Sequence, residues 1–139
     1  MKDTIEPYNL FLDDERMPDD VQWEVLPLVE WTIVRNYKEF TDIIKKQGLP
    51  ENIAFDHDLS DHHYKDYISV LKNKKDLTNP LRLNYAKYKE KTGLDCCKWL
   101  VEYCIKHNLK FPAYKVHSMN HYGKQNIISY IESYKKTHE

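Results

Sequence analysis

The chain has 139 residues, 41% of them hydrophobic and 31% charged, with a formal net charge of −1. That length gives one domain, residues 1–139, with room for a real core, on a prior of roughly 100–200 residues per domain. The charge balance excludes a general electrostatic surface for nucleic acid or membrane.

The first predicted element is a strand over residues 8–12, Tyr-Asn-Leu-Phe-Leu, mostly apolar and therefore suited to burial on both faces. It runs into Asp13-Asp14-Glu15-Arg16. Residues 17–30 carry Pro18 and Pro27, so any helix there must be short or absent. Trp31-Thr32-Ile33-Val34 reads as a second core strand because aromatic and β-branched residues dominate it. Asn36 is a good N-cap with Glu39 three positions on, and Phe40, Ile43, Ile44 and Gln47 mark one face of a helix that Gly48 stops.

Ile53-Ala54-Phe55 is the third strand, reached through a helix as in a βαβ unit, and it ends in Asp56-His57-Asp58. From about residue 60 to 91 the chain turns polar and lysine-rich, with Tyr64, Tyr67, Tyr85 and Tyr88 and no single period, and is expected to be a partly helical insertion. Those tyrosines would serve as packing or as a nucleobase lid, and His62-His63 reads as a polar loop. Thr92-Gly93-Leu94-Asp95 opens a helix whose Cys97, Leu100, Val101 and Cys104 keep amphipathic spacing, and Asn108 closes it. Its three cysteines, Cys96, Cys97 and Cys104, read as reduced core residues, with neither a disulfide framework nor a Cys-x-x-Cys motif. Ala113 to Val116 forms the last strand and ends in His117-Ser118. A loop through Asn120 to Gly123 then leads to a final helix with Ile127, Ile128, Ile131 and Tyr134 toward the core. No apolar run approaches the roughly 18–20 residues that span a bilayer, and Met1 to Glu6 lacks a signal peptide's hydrophobic region, so a cytoplasmic protein is expected.

In an open parallel sheet the carboxyl ends of the strands lie along one edge, where ligands bind, so the three polar strand endings are expected to meet. Three blocks carry a resemblance: Leu12-Asp13-Asp14-Glu15-Arg16 with Pro18, then Asp56-His57-Asp58-Leu59, then His117-Ser118-Met119-Asn120 with Gly123 and Asn126. Together they resemble the cyclic-phosphate processing receiver-like family. The resemblance implies an α/β, flavodoxin-like three-layer sandwich with a mostly parallel sheet of four to five strands and an insertion after the third. It also implies processing of cyclic phosphates on nucleotides or nucleotide-derived sugars. The Lys-Pro that follows the last strand in signalling receivers is absent, Lys115 lies within a strand, and Lys124 is the candidate to replace that lysine.

Opening a cyclic phosphodiester needs a base and an acid, work suited to imidazoles, and His57 and His117 are the candidates. Asp56 or Asp58 would orient an imidazole, while Arg16, Ser118, Asn120, Lys124 and Asn126 would hold phosphate oxygens. Asp13, Asp14, Asp56 and Asp58 would alternatively gather a divalent cation, magnesium or manganese, with histidine participation moving the preference toward manganese or zinc. The leading expectation is a hydrolase acting on a small nucleotide or cyclic-phosphate substrate. Its alternatives are a non-enzymatic module that binds a nucleotide or a protein, and a phosphoacceptor receiver using Asp56.

Overall fold

The computed structural model of the chain describes residues 6–59 and 91–139. The expected insertion, with its tyrosines and His62-His63, lies outside the described residues except for Lys91.

Among the described residues four strands, β1 (Asn9–Leu12), β2 (Thr32–Val34), β3 (Asn52–Phe55) and β4 (Ala113–Val116), pair in the order β2-β1-β3-β4, every pair parallel. Among the described residues, three helices, α1 (Tyr37–Gln47), α2 (Gly93–His107) and α3 (His121–His138), complete the α/β receiver-like fold. The local signals act as expected. Asn36 caps α1 by accepting from the Glu39 amide, Gly48 ends it at φ 85°, and Thr92 and Asp95 close a reciprocal capping box on α2. Asn108 ends α2 in the left-handed conformation at φ 54°. The last helix begins at His121, inside the loop expected through Gly123, because the Asn120 side chain accepts from the Gly123 amide and caps it there.

Side chains alternate across a strand, and the two faces of this sheet pack differently. Leu10, Leu12, Ile53, Phe55 and Val116 join Phe40, Ile44, Leu100, Val101, Ile127 and Ile131 in the main core beneath the helices. Phe11 and Ala54 point the other way and pack with Val21, Leu26, Trp31 and Ile33. Crossover handedness accounts for the division. The steps β2→β3 and β3→β4 move in one direction along the sheet, and right-handed connection puts their helices on one face. The step β1→β2 moves the opposite way and must cross the other face. There residues 13–31 form a strap whose helical content among the described residues is the short 3₁₀ turn Pro18–Asp20, as its prolines require.

Among the described residues no helix is long and apolar enough to cross a membrane. Cys96, Cys97 and Cys104 are free and buried, and burial pushes the Cys97 thiol up to about 12, which suits packing and not reactivity.

The start of α2 is pressed onto the end of β3. The Gly93 amide donates to the His57 carbonyl at 2.7 Å, and a Cβ on Gly93 would stand 1.8 Å from the Asp56 carbonyl oxygen. Gly93→Ala is therefore expected to destabilise the protein by about 3 kcal/mol in urea unfolding. An unchanged midpoint would mean that this junction has slack to give.

Candidate functional site

The hydrogen-bond ladder runs one residue past β1, β3 and β4. The Asp13 amide donates to Val34 at 3.1 Å, Asp56 to Leu12 at 3.0 Å and His117 to Phe55 at 2.9 Å. Leu12, Phe55 and Val116 are in register across β1, β3 and β4. The residues that follow them, Asp13, Asp56 and His117, therefore turn to the same face, the one crossed by the strap. This edge includes the gap between β1 and β3, where the direction of the connections reverses and open α/β sheets place their ligands.

Asp13 and His117 have no solvent exposure and Asp56 has 3%. Asp13 Oδ1 accepts from the amides of Glu15 and Arg16 at 3.0 and 2.8 Å, and Asp13 Oδ2 lies 3.0 Å from His117 Nε2. The His117 ring stacks on Phe11 with centroids 4.7 Å apart and planes 5° from parallel. With Nε2 occupied by Asp13, its Nδ1 is buried and has no hydrogen-bond partner among the described residues. Asp56 Oδ1 accepts from the His57 amide at 2.9 Å. The Arg16 guanidinium spans the two carboxylates, 3.5 Å from Asp13 and 3.9 Å from Asp56. It also lies 5.1 Å from the ring centre of Trp23 and 3.3 Å from Met119 Sδ.

One environment drives the two carboxylates apart. Burial raises Asp13, but the hydrogen bonds from His117 and from the Arg16 and Glu15 amides outweigh it and leave Asp13 below the ordinary carboxylate range. Asp56 is pushed well above that range, first by burial and then by the charges of Asp13 and Asp58, with Arg16 opposing. Asp14, half-buried beside Asp13 and Glu15, is raised to about 6.

Alternation sends His57 to the other face, and the turn after β3 brings Asp58 there as well. His57 follows Asp56 and so turns to the helical face, where its Nδ1 lies 2.8 Å from Asp58 Oδ1. Asp58 Oδ1 also accepts from Asn120 Nδ2 at 3.1 Å. A Cβ on Gly123 would stand 2.3 Å from the His57 ring, so this glycine lets α3 approach. The structure thus gathers Asp13, Asp56, His117 and Arg16 on one face, and His57, Asp58 and Asn120 on the other. Ser118 accepts from the Asn120 amide at 3.1 Å and shapes the loop before α3. Lys124 is bound to Glu24 at 3.0 Å, and Asn126 is exposed on α3.

Three residues of this region carried no sequence signal. Arg35 donates to the carbonyls of Asp13 and Arg16 at 3.0 and 2.7 Å and clamps the turn after β1. Trp23 Nε1 donates to the His117 carbonyl, and Glu24 reaches Lys124. Each contact joins residues far apart in sequence, beyond the reach of a periodicity.

Asp13, Asp56 and His117 each offer a ligand atom, all within 4.8 Å of one another. The fit to a divalent cation is chemical as well as spatial. The carboxylates repel each other, the part-exposed guanidinium is more than 3 Å from both, and the imidazole has a nitrogen without a partner.

A parallel sheet in this order, with aspartates after β1 and β3 at one edge, defines a receiver-like α/β domain. The family profile described as Cyclic-phosphate processing Receiver domain matches residues 8–133, and the chain belongs to that family. Comparisons with curated proteins and with solved structures return no match.

The carboxylate pair yields a stability test. A carboxyl whose pKa is raised on folding stabilises the native state at acid pH, and that contribution fades as pH rises above 3.8 toward the higher native value. Asp56→Asn removes the repulsion, so the chelated variant should exceed the chelated wild type by about 1 kcal/mol at neutral pH and lose part of that advantage on acidification. Manganese should raise the melting temperature of the wild type and not that of the variant. A metal-independent melt for both would exclude a cation from this cluster.

Proposed function

We propose that the chain is a phosphoesterase that opens a cyclic phosphate on a nucleotide or nucleotide-derived ribose. The observation that carries this reading is the buried Asp13–Asp56–His117 cluster beneath the Arg16 guanidinium, in a member of a cyclic-phosphate processing family.

Ring opening joins a water oxygen to phosphorus and breaks the bond from phosphorus to one ribose oxygen. The water loses a proton to a base and the departing ribose oxygen gains one from an acid. Asp13 takes the Nε2 hydrogen of His117, which leaves the lone pair on Nδ1 to act as the base. Asp56, whose affinity for a proton is raised by burial and by its charged neighbours, is the acid. Arg16 binds the phosphate oxygens and offsets their charge. His57, bonded to Asp58 on the other face, is a positioning residue that keeps the end of β3 against α3. If Asp13, Asp56 and His117 instead held a divalent cation, it would take over the acid and base roles of Asp56 and His117 by neutralising phosphate charge and lowering the pKa of a bound water, and the imidazole among the donors favours manganese over magnesium. The small net charge supports a small-molecule substrate over extended nucleic acid.

One observation favours a second reading. Asp13 and His117 are fully enclosed, so a cation there would serve equally well as a structural centre in a module that binds a nucleotide without cleaving it.

Phosphorus NMR of the protein with a panel of ribose cyclic phosphates and cyclic nucleotides, with chelator and with added manganese, separates the two. Conversion of one cyclic signal to one monoester is expected, with Asp56→Ala and His117→Ala each slower by at least about 100-fold. His57→Ala is expected to lower the melting temperature more than the rate of the surviving folded protein. Full activity in His117→Ala would remove its assigned role, and tight binding without product under every metal condition would favour the binding module.

A further inference from the structure

We infer that Trp23 is the platform on which this site receives the base of a nucleoside cyclic phosphate, which makes the substrate a nucleotide and not a simple sugar phosphate. The inference rests on the proposed phosphate role of Arg16 and extends it to the other end of the ligand.

Trp23 is 40% exposed although it lies in the strap directly over the site. Its indole is not there as core. The second-face core is built from buried Phe11, Val21 and Ala54 with half-buried Leu26, Trp31 and Ile33, whereas Trp23 stays exposed. Polar contacts hold it in place instead. Nε1 donates to the carbonyl of His117, and the next residue, Glu24, pairs with Lys124 at 3.0 Å and Lys115 at 3.9 Å. An aromatic side chain kept partly in water by such anchors is preorganised, so a stacking ligand would not have to order it.

The neighbours of Trp23 set the kind of ligand. The Arg16 guanidinium, 5.1 Å from the indole centre, also reaches the Asp13–Asp56 pair, so one side chain links the aromatic surface to the phosphate end. Met119, 49% exposed and in contact with Arg16, adds a polarisable thioether beside the guanidinium. A nucleoside cyclic phosphate has the matching order of parts: a flat aromatic base, a sugar one ring wide, and an anion. Base-on-indole stacking tolerates any base, so Trp23 would select for the presence of a base and not for its identity.

The test compares two probes by calorimetry: adenosine 2′,3′-cyclic phosphate, and the methyl riboside 2,3-cyclic phosphate that keeps sugar and anion but has no base. Asp56→Asn protein serves as the background if the wild type turns either probe over. The wild type should bind the adenosine probe about tenfold tighter, and Trp23→Ala should erase that difference while leaving the base-free probe unchanged. Trp23→Phe keeps a stacking face and loses the indole hydrogen bond, and it should retain most of the preference. Equal weakening of both probes in Trp23→Ala would make the indole a support for Arg16 and overturn the inference. So would a wild type that binds the adenosine probe no better than the base-free one. Because binding is read without turnover, a chain that discriminates the probes yet converts no member of the phosphorus NMR panel would refute the hydrolase and leave the platform standing.

Discussion

The structure depends on the carboxylate of Asp13. A carboxylate with no solvent exposure is costly unless every oxygen is occupied, and here each is. Oδ1 takes the Glu15 and Arg16 amides and so bends the chain sharply after β1, and Oδ2 takes His117 and so ties the end of β1 to the end of β4 across the intervening strand. Arg35 completes the junction from the end of β2 by donating to the carbonyls of Asp13 and Arg16. One buried charge thereby sets where the strap departs, where Arg16 stands, and how the His117 ring lies.

The same anchoring separates two carboxylates of identical chemistry. Asp13 is stabilised as the anion by donors that its turn supplies, whereas Asp56 accepts one amide and faces the charge of Asp13. Their proton affinities move in opposite directions for reasons of backbone geometry, with no change of residue type. Two residues past Asp56, beyond the end of β3, Asp58 has a third fate. It turns to the helical face, where His57 and Asn120 occupy it and couple the end of β3 to the start of α3. The sheet edge thus holds the buried Asp13–Asp56–His117 cluster on one face and the His57–Asp58–Asn120 network on the other, divided by the backbone of Asp56 and His57.

Most of the architecture was legible in the sequence because its determinants are local. Apolar runs marked the strands, and Asn36, Gly48, Thr92, Asp95 and Asn108 marked the helix ends by chemistry that acts within one turn. The meeting of the three polar endings followed from the rule that parallel strands end on one edge. Grouping His57 with His117 overlooked the two-residue period that sends Asp56 and His57 to opposite faces, a signal that was present in the chain. Arg35, Trp23 and Glu24 were beyond such reasoning. Each acts across a contact that no local pattern encodes, Trp23 on the carbonyl of the residue after β4 and Glu24 on a lysine in the last helix.

The strap explains why a receiver-like sheet can take on a chemistry that depends on enclosure. Right-handed connection obliges residues 13–31 to cross the second face, and a helix there would cover Phe11 and Ala54 with a rigid apolar stripe. Proline at 18 and 27 prevents that, and the loop covers the face with Val21, Leu26 and Trp31 while leaving Arg16 and Trp23 free to lean over the edge. Two of its anchors end on main-chain carbonyls, those of Asp13 and Arg16 for Arg35 and that of His117 for Trp23. A carbonyl acceptor persists whatever side chain its residue carries. Arg35 therefore holds the start of the strap through the main chain of Asp13 and Arg16, whereas Trp23 is held through its own indole, so the strap is anchored in part by a side chain that it also exposes over the sheet edge.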